Sequence, residues 1–169
     1  RDLSAPIVVT ALFGAGDQAW FEALRRAHYP PARNQVSAHL TLFHHLPPSI
    51  EAEVRQRLAA ETRHVAPPAA TLREPYSLGR GVAWRIESEG LAAIRARLAE
   101  GFTGLLVPQD MAGWRPHVTI QNKVEAAEAR ALLAAMRAGF RARPLTITGL
   151  AAWWYRGGPW APLSRHMFG

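Results

Sequence analysis

Two short strings carry the chemistry of this chain: His39-Leu40-Thr41-Leu42 and, 78 residues on, His117-Val118-Thr119-Ile120. On a β-strand alternate side chains share a face, so each histidine lies on the same side as its threonine and the aliphatic residues lie on the other. Residues two apart are separated by about 6.6 Å, a spacing at which an imidazole and a hydroxyl converge on one tetrahedral anion. Histidine's ordinary pKa near 6.5 lets one ring accept a proton while a second gives one up. Threonine hydroxyls can donate to the non-bridging oxygens, where charge concentrates. Two such strands around one cleft therefore suit displacement at a phosphodiester without a metal ion. A lone His-x-Thr is more often an ordinary strand pair; the matched repetition, each copy followed by an apolar residue, sets this pair apart.

The elements that must hold these strings can be read from periodicity and punctuation. Ile7–Phe13 is β-branched and apolar and reads as a buried strand. Gly14-Ala15-Gly16-Asp17 breaks it, with Asp17 as a candidate helix cap, and Trp20, Phe21, Leu24 and Ala27 follow at helical spacing until Pro30-Pro31. Ala38–Leu46 is the first motif strand, followed by a helix with Ile50, Val54 and Leu58 on one face. Thr71–Leu78 and Val82–Glu87 flank Gly79-Arg80-Gly81 as a hairpin, and Leu91, Ile94 and Leu98 mark a further helix. Val107–Trp114 reads as a loop and Pro116–Val124 as the second motif strand. Glu125–Ala138 reads as a helix, Leu145–Tyr155 as a last strand, and the tail to Gly169 as irregular. The order strand, His-x-Thr, turn, helix occurs twice, which suggests a duplicated half and a pseudo-twofold arrangement.

Composition narrows the class. The 169 residues are 49% hydrophobic and 20% charged, which is ordinary for a globular protein. With no cysteine, disulfides, thiolate catalysis and Cys-ligated zinc are excluded. No apolar run is long enough to span a membrane, and Arg1-Asp2-Leu3-Ser4 does not begin a signal peptide; the chain reads as soluble and cytoplasmic, with no membrane and no obligatory protein partner. The net charge of +7 is carried almost wholly by arginine, Lys123 being the only lysine. A basic surface favours phosphates and nucleic acid, although an arginine-rich composition has the same sign by itself.

The strings AHLTLFHHLP at Ala38–Pro47, RPHVTIQNKV at Arg115–Val124 and WYRGGPW at Trp154–Trp160 resemble the 2H phosphoesterase superfamily, most of all its 2′-5′ RNA ligase-like, cyclic phosphodiesterase branch. The resemblance implies an α+β fold: a bilobal, pseudo-twofold arrangement of two antiparallel sheets lining a central cleft, with helices outside and residues 1–169 forming a single domain of two intertwined lobes. It implies a metal-independent enzyme without cofactors, acting on RNA or nucleotide 2′,3′-cyclic phosphates or 2′-5′ phosphodiesters. By position, His39 and His117 are the acid–base pair and Thr41 and Thr119 hold the phosphate. In hydrolysis of a cyclic phosphate, the resemblance gives His117 the activation of water and His39 the protonation of the leaving ribose oxygen. Many relatives carry an arginine five residues after the second histidine; here that position is Asn122, followed by Lys123.

Five further residues are candidate substrate contacts. Phe43 continues the His39 face, and Gln121 and Lys123 continue the His117 face if the strands alternate regularly. Arg115 stands at the cleft mouth, and Arg33 in the loop feeding the first motif strand. Among the aromatic residues, Trp114, Tyr29, Trp84, Trp153, Trp154 and Tyr155 offer base-stacking surface or core; Trp153 and Trp154 face opposite sides of a regular strand, so at most one lines the cleft. Two other functions fit the residues less well. One is an RNA-end or nucleotide binding module with little catalysis. The other is a metal hydrolase on His39, His45 and His117, whose spacing matches no common ligand pattern.

Overall fold

A computed structural model describes residues 5–169; the tetrapeptide Arg1–Ser4, on which the signal-peptide expectation partly rests, lies outside the described residues. The chain is α+β and its strands pair antiparallel throughout. They are β1 (Ile7–Phe13), β2 (Leu40–Leu46), β3 (Ala69–Ser77), β4 (Val82–Glu87), β5 (His117–Gln121), β6 (Arg143–Trp154) and β7 (Ala161–Met167). The helices are α1 (Ala15–His28), α2 (Glu51–Thr62), α3 (Glu89–Gly101), the single-turn α4 (Pro108–Met111) and α5 (Ala126–Arg137). Among the described residues no helix is long and apolar enough to cross a membrane.

The strand order β2-β1-β6-β3-β4-β5, with β7 on β6, divides into two antiparallel halves joined through β6. The C-terminal part of β6 pairs with β1 and β7, and its N-terminal residues Arg143–Thr146 pair with β3. The two motif strands, β2 and β5, are thus the two ends of the path. The sheet curls enough to bring β2 and β5 against each other although they share no ladder. The halves also exchange helices. α1 follows β1 yet packs on β5. Phe102, just after α3, stacks edge-on against Phe43 of β2 at 5.6 Å.

Leu40, Leu42, Val118 and Ile120 are all fully buried. Each contributes roughly 1.5–3 kcal/mol of burial, which fixes the opposite, His-x-Thr face of both strands toward the cleft. Strict alternation then fails at one corresponding point in each strand. Thr10 opposes Thr41 and Val9 opposes Phe43, so Leu42 is passed over; Ala83 opposes Thr119 and Val82 opposes Gln121, so Ile120 is passed over. A bulge directly after each threonine re-aims the side chains beyond it.

Three local expectations change. Asp17 does not cap α1, whose cap is Gly14; its carboxylate instead accepts from the Thr146 amide at 2.8 Å and from Arg143 at 2.9 Å, tying the helix to β6. The tail forms β7, because a free edge on β6 gives its amides partners that propensity alone does not reveal. The 107–114 loop contains α4, which fastens to β2. At the β3–β4 turn, a Cβ on Gly81 would overlap the backbone carbonyl of Gln121. We expect Gly81→Ala to push β4 from the end of β5 and cost about 1–3 kcal/mol, read as a lower denaturant midpoint; an unchanged midpoint would mean that this contact relaxes freely.

Candidate active site

Each histidine is anchored in the same way. His39 Nδ1 lies 2.7 Å from the Ser37 carbonyl, and His117 Nδ1 lies 2.7 Å from the Arg115 carbonyl. A carbonyl only accepts, so Nδ1 carries the hydrogen in both rings and Nε2 is the nitrogen that exchanges protons. A neutral ring then presents a lone pair at Nε2 and a charged ring presents an N–H. Thr41 and Thr119 are half-buried, and neither hydroxyl has a hydrogen-bond partner among the described residues.

Side chains from elsewhere take up the free edges of the motif strands and clamp them together. Trp114, three residues before His117, donates its indole N–H to the Thr41 carbonyl at 2.9 Å. Arg25 of α1 donates to the Thr119 carbonyl at 2.8 Å and to Asn34 at 3.1 Å, with its guanidinium 4.2 Å from the Tyr29 ring centre. Arg95 of α3 donates to the Leu42 carbonyl at 3.2 Å and to the Asp110 carbonyl at 2.6 Å. Asp110, 1% exposed, receives the amides of His44 and His45 and the His44 ring nitrogen, all at 2.9–3.1 Å. An exposed strand edge invites pairing with other chains; here these bonds occupy the β2 edge.

Electrostatics set the charge state of the His39 ring. Burial lowers the His39 pKa from 6.5 to about 4, the Ser37 carbonyl opposes this, and Arg25, His117 and His44 add like charge. In the free protein at neutral pH, His39 is therefore a neutral ring with a lone pair at Nε2. Burial also lowers Arg25 from its ordinary value, against the pull of Tyr29 and Glu22, and an arginine remains charged under such a shift. For Asp110, burial alone would raise the pKa; the bonds from the His44 ring and from the two amides outweigh it, and the carboxyl sits below its ordinary range.

Aromatic rings stand beside both histidines. The Trp160 ring is centred 4.6 Å from His39 and 6.4 Å from Trp153, whose indole N–H is held by Thr10 at 2.9 Å. These residues border a cavity of about 370 Å³ beside His39. Tyr76 is centred 6.2 Å from His117 and edge-on to it. Of the tryptophan pair on β6, Trp153 lines the cleft side and Trp154 is buried.

β2 and β5 lie against each other and His39 feels the charge of His117, so the two His-x-Thr strings share one region of the fold, and two of the other assignments are corrected. Phe43 is fully buried against Phe102 and under Arg95, and Gln121 is 3% exposed; both are turned inward by the bulges and are core residues rather than substrate contacts. Arg33, Arg115 and Lys123 are exposed. Lys123 has a φ of 63°, which ends the alternation with His117 that the sequence suggests. Among the described residues no group of three or more His, Asp or Glu is placed to hold a metal. Sequence reasoning missed Arg25, Asp110, Tyr76 and Trp160. Two of these left a signal: Arg25 falls four residues after buried Phe21 on the same helical face, and Trp160 closes the WYRGGPW string.

The comparisons with known proteins agree with this architecture. A family model described as the 2′-5′ RNA ligase superfamily matches residues 14–159. The protein TT0787 of Thermus thermophilus is similar with a TM-score of 0.67 at 17% identity, over 96% of this chain and 97% of that one. Escherichia coli LigT, solved in complex with 3′-AMP, gives a TM-score of 0.56 at 17% identity, over 97% and 98% of the two chains. The LigT complex with NADP+ gives 0.58 at 20% identity, again over 97% and 98%. At these identities the solved structures speak for the fold. No curated protein sequence matches the chain.

Proposed function

The chain belongs to the 2′-5′ RNA ligase superfamily of 2H phosphoesterases, and from that premise we propose that it is a phosphoesterase for RNA-type 2′,3′-cyclic phosphate or 2′-5′ phosphodiester bonds, using His39 and His117 as its acid–base pair. The observation that carries this reading is the twin tether from Nδ1 to a carbonyl two residues earlier. It leaves Nε2 of each ring as the proton-exchanging nitrogen, the tautomer that acid–base catalysis uses.

In hydrolysis of a cyclic phosphate, His117 Nε2 takes a proton from water as its oxygen attacks phosphorus. The bond from phosphorus to one ribose oxygen breaks, and His39 Nε2–H protonates that oxygen. Thr41 and Thr119 donate to the non-bridging oxygens, and the buried Arg25 charge lies behind them. The anionic substrate offsets the burial that keeps His39 neutral in the free protein, so binding draws a proton onto that ring. Both proton transfers are supplied by the two imidazoles, so the scheme needs no metal. The 3′-AMP and NADP+ complexes of LigT support a nucleotide as the ligand class.

The test is turnover of a 2′,3′-cyclic nucleotide in excess EDTA. We expect wild-type activity to be unchanged by the chelator. Thr41→Val and Thr119→Val should each lower kcat by about 10²-fold, the effect of removing one donor to the transition-state oxygens. Tight binding of a cyclic-phosphate-ended oligonucleotide without turnover would instead mark an RNA-end binding module. Activity abolished by EDTA and restored by a divalent ion would remove the metal-free scheme.

A further inference from the structure

Arg165 of β7 borders the same cavity of about 370 Å³ as His39, Trp153 and Trp160. We propose that its guanidinium is the subsite for a phosphate on the 5′ oxygen of the nucleoside held beside His39, so that 5′-phosphorylated substrates are preferred to an unsubstituted nucleoside cyclic phosphate. This inference rests on the phosphoesterase reading and adds to it a residue that discriminates between substrates.

The first argument is register. Thr41 of β2 lies opposite Thr10 of β1, Thr10 opposite Ala151 of β6, and Ala151 opposite Arg165 of β7. Residues directly opposed across a ladder project from the same face, so Arg165 shares the face of Thr41. Trp153, two residues along β6 from Ala151, shares it as well. Three strand-to-strand steps put the Arg165 backbone about 14 Å from that of Thr41. An extended arginine side chain covers roughly half of that, which leaves on the order of 7 Å between its guanidinium and Thr41, the scale of one ribose. A nucleoside that presents its 2′ and 3′ oxygens to His39 and Thr41 can therefore carry its 5′ oxygen to Arg165.

The second argument is which polar groups of the cavity are already taken. Thr10 Oγ1 accepts the Trp153 indole N–H at 2.9 Å, Gln18 donates to Glu22 and to the Ala38 carbonyl at 2.8 and 3.0 Å, and the Ser37 carbonyl holds His39. Arg165 has no hydrogen-bond or ion-pair partner among the described residues. Among the described residues that border the cavity, none is Asp or Glu. A guanidinium without a carboxylate offers a forked donor that fits two phosphate oxygens at once. The Trp153 and Trp160 rings, centred 6.4 Å apart, supply apolar wall for the nucleoside. Stacking accepts any base by its π face, so discrimination falls to the group that carries charge.

Composition offers a competing account, because a basic chain attracts phosphates over its whole surface. A general field acts alike from every exposed arginine, whereas a subsite acts from one. That difference decides the design of the experiment.

The test compares kcat/KM for adenosine 2′,3′-cyclic phosphate with that for the same compound bearing a 5′-phosphate monoester, and for a dinucleotide that ends in the cyclic phosphate and carries a diester at that oxygen. Wild type should prefer the monoester by about 10-fold, the scale of charge-assisted hydrogen bonds to a partly screened phosphate. A like gain from the dinucleotide would show that the subsite also takes the backbone phosphate of a longer chain; a gain from the monoester alone would show that it takes a phosphorylated end. Arg165→Gln should abolish the preference, Arg165→Lys should keep part of it, and added salt should shrink it. Arg130→Gln, an exposed change on α5, should leave the preference at its wild-type value. No wild-type preference for either 5′-substituted compound, or equal losses in Arg165→Gln and Arg130→Gln, overturns the subsite and leaves the phosphoesterase reading standing. Turnover of none of the three compounds removes that reading and the subsite with it.

Discussion

His39→Ala and His117→Ala should each lower kcat on a 2′,3′-cyclic nucleotide by about 10²–10⁴-fold, the usual contribution of a positioned acid or base. The double variant should lose little more than the worse single one, because in the proposed mechanism the two rings act on one concerted transfer and their effects do not add. Folding should be little disturbed, since each ring is only half-buried and is tethered to a carbonyl just two residues away. The pH dependence separates their roles. With His39 at about 4 in the free protein, kcat/KM for the cyclic nucleotide, which needs His39 protonated, falls as pH rises above about 4. For an internucleotide bond, which needs His39 neutral, kcat/KM rises as pH passes up through about 4. Undiminished turnover in either alanine variant would remove the two-histidine mechanism, and identical acid limbs for the two substrates would remove this division of roles.

The part of the site that can be read from the sequence is the part that depends on backbone period alone. His39 and Thr41 face one way because Leu40 and Leu42 are taken by the core, and the same holds at His117 and Thr119 with Val118 and Ile120. The strand and helix order follows from apolar period and from Gly and Pro punctuation for the same reason. Phe43 and Gln121 depart from that period because the extra residue in each strand exists only relative to its ladder partner, Val9 in one case and Val82 in the other. Nothing local in the string marks that displacement. Arg25, Asp110 and Tyr76 reach the site from three separate elements, and their roles appear only once α1 crosses to β5 and α4 docks on β2. Trp160 lies just before β7, a strand that exists because β6 offers it an edge.

The clamp at Asp110 predicts a second large effect, on stability. Its carboxylate is buried and accepts three donors at the end of β2: the His44 amide, the His45 amide and His44 Nδ1–H. Asp110→Ala leaves two inward amides without partners and frees the segment that carries Trp114 and Arg115. Removing one member of such a buried charged network costs about 3–5 kcal/mol, read from urea unfolding at pH 7. Asp110→Asn keeps an acceptor oxygen and should lose less. The acid response has a definite sign: because the folded carboxyl sits below its ordinary value, its contribution is complete above the unfolded pKa of about 4 and is lost as pH falls through the lower folded value. In the alanine variant that part of the acid sensitivity disappears. Activity should fall beyond the loss of folded protein, because Trp114 no longer holds the Thr41 carbonyl and the spacing of β2 from β5 is no longer fixed. Full kcat in a destabilised Asp110→Ala would show that the β2–β5 spacing is set without this clamp.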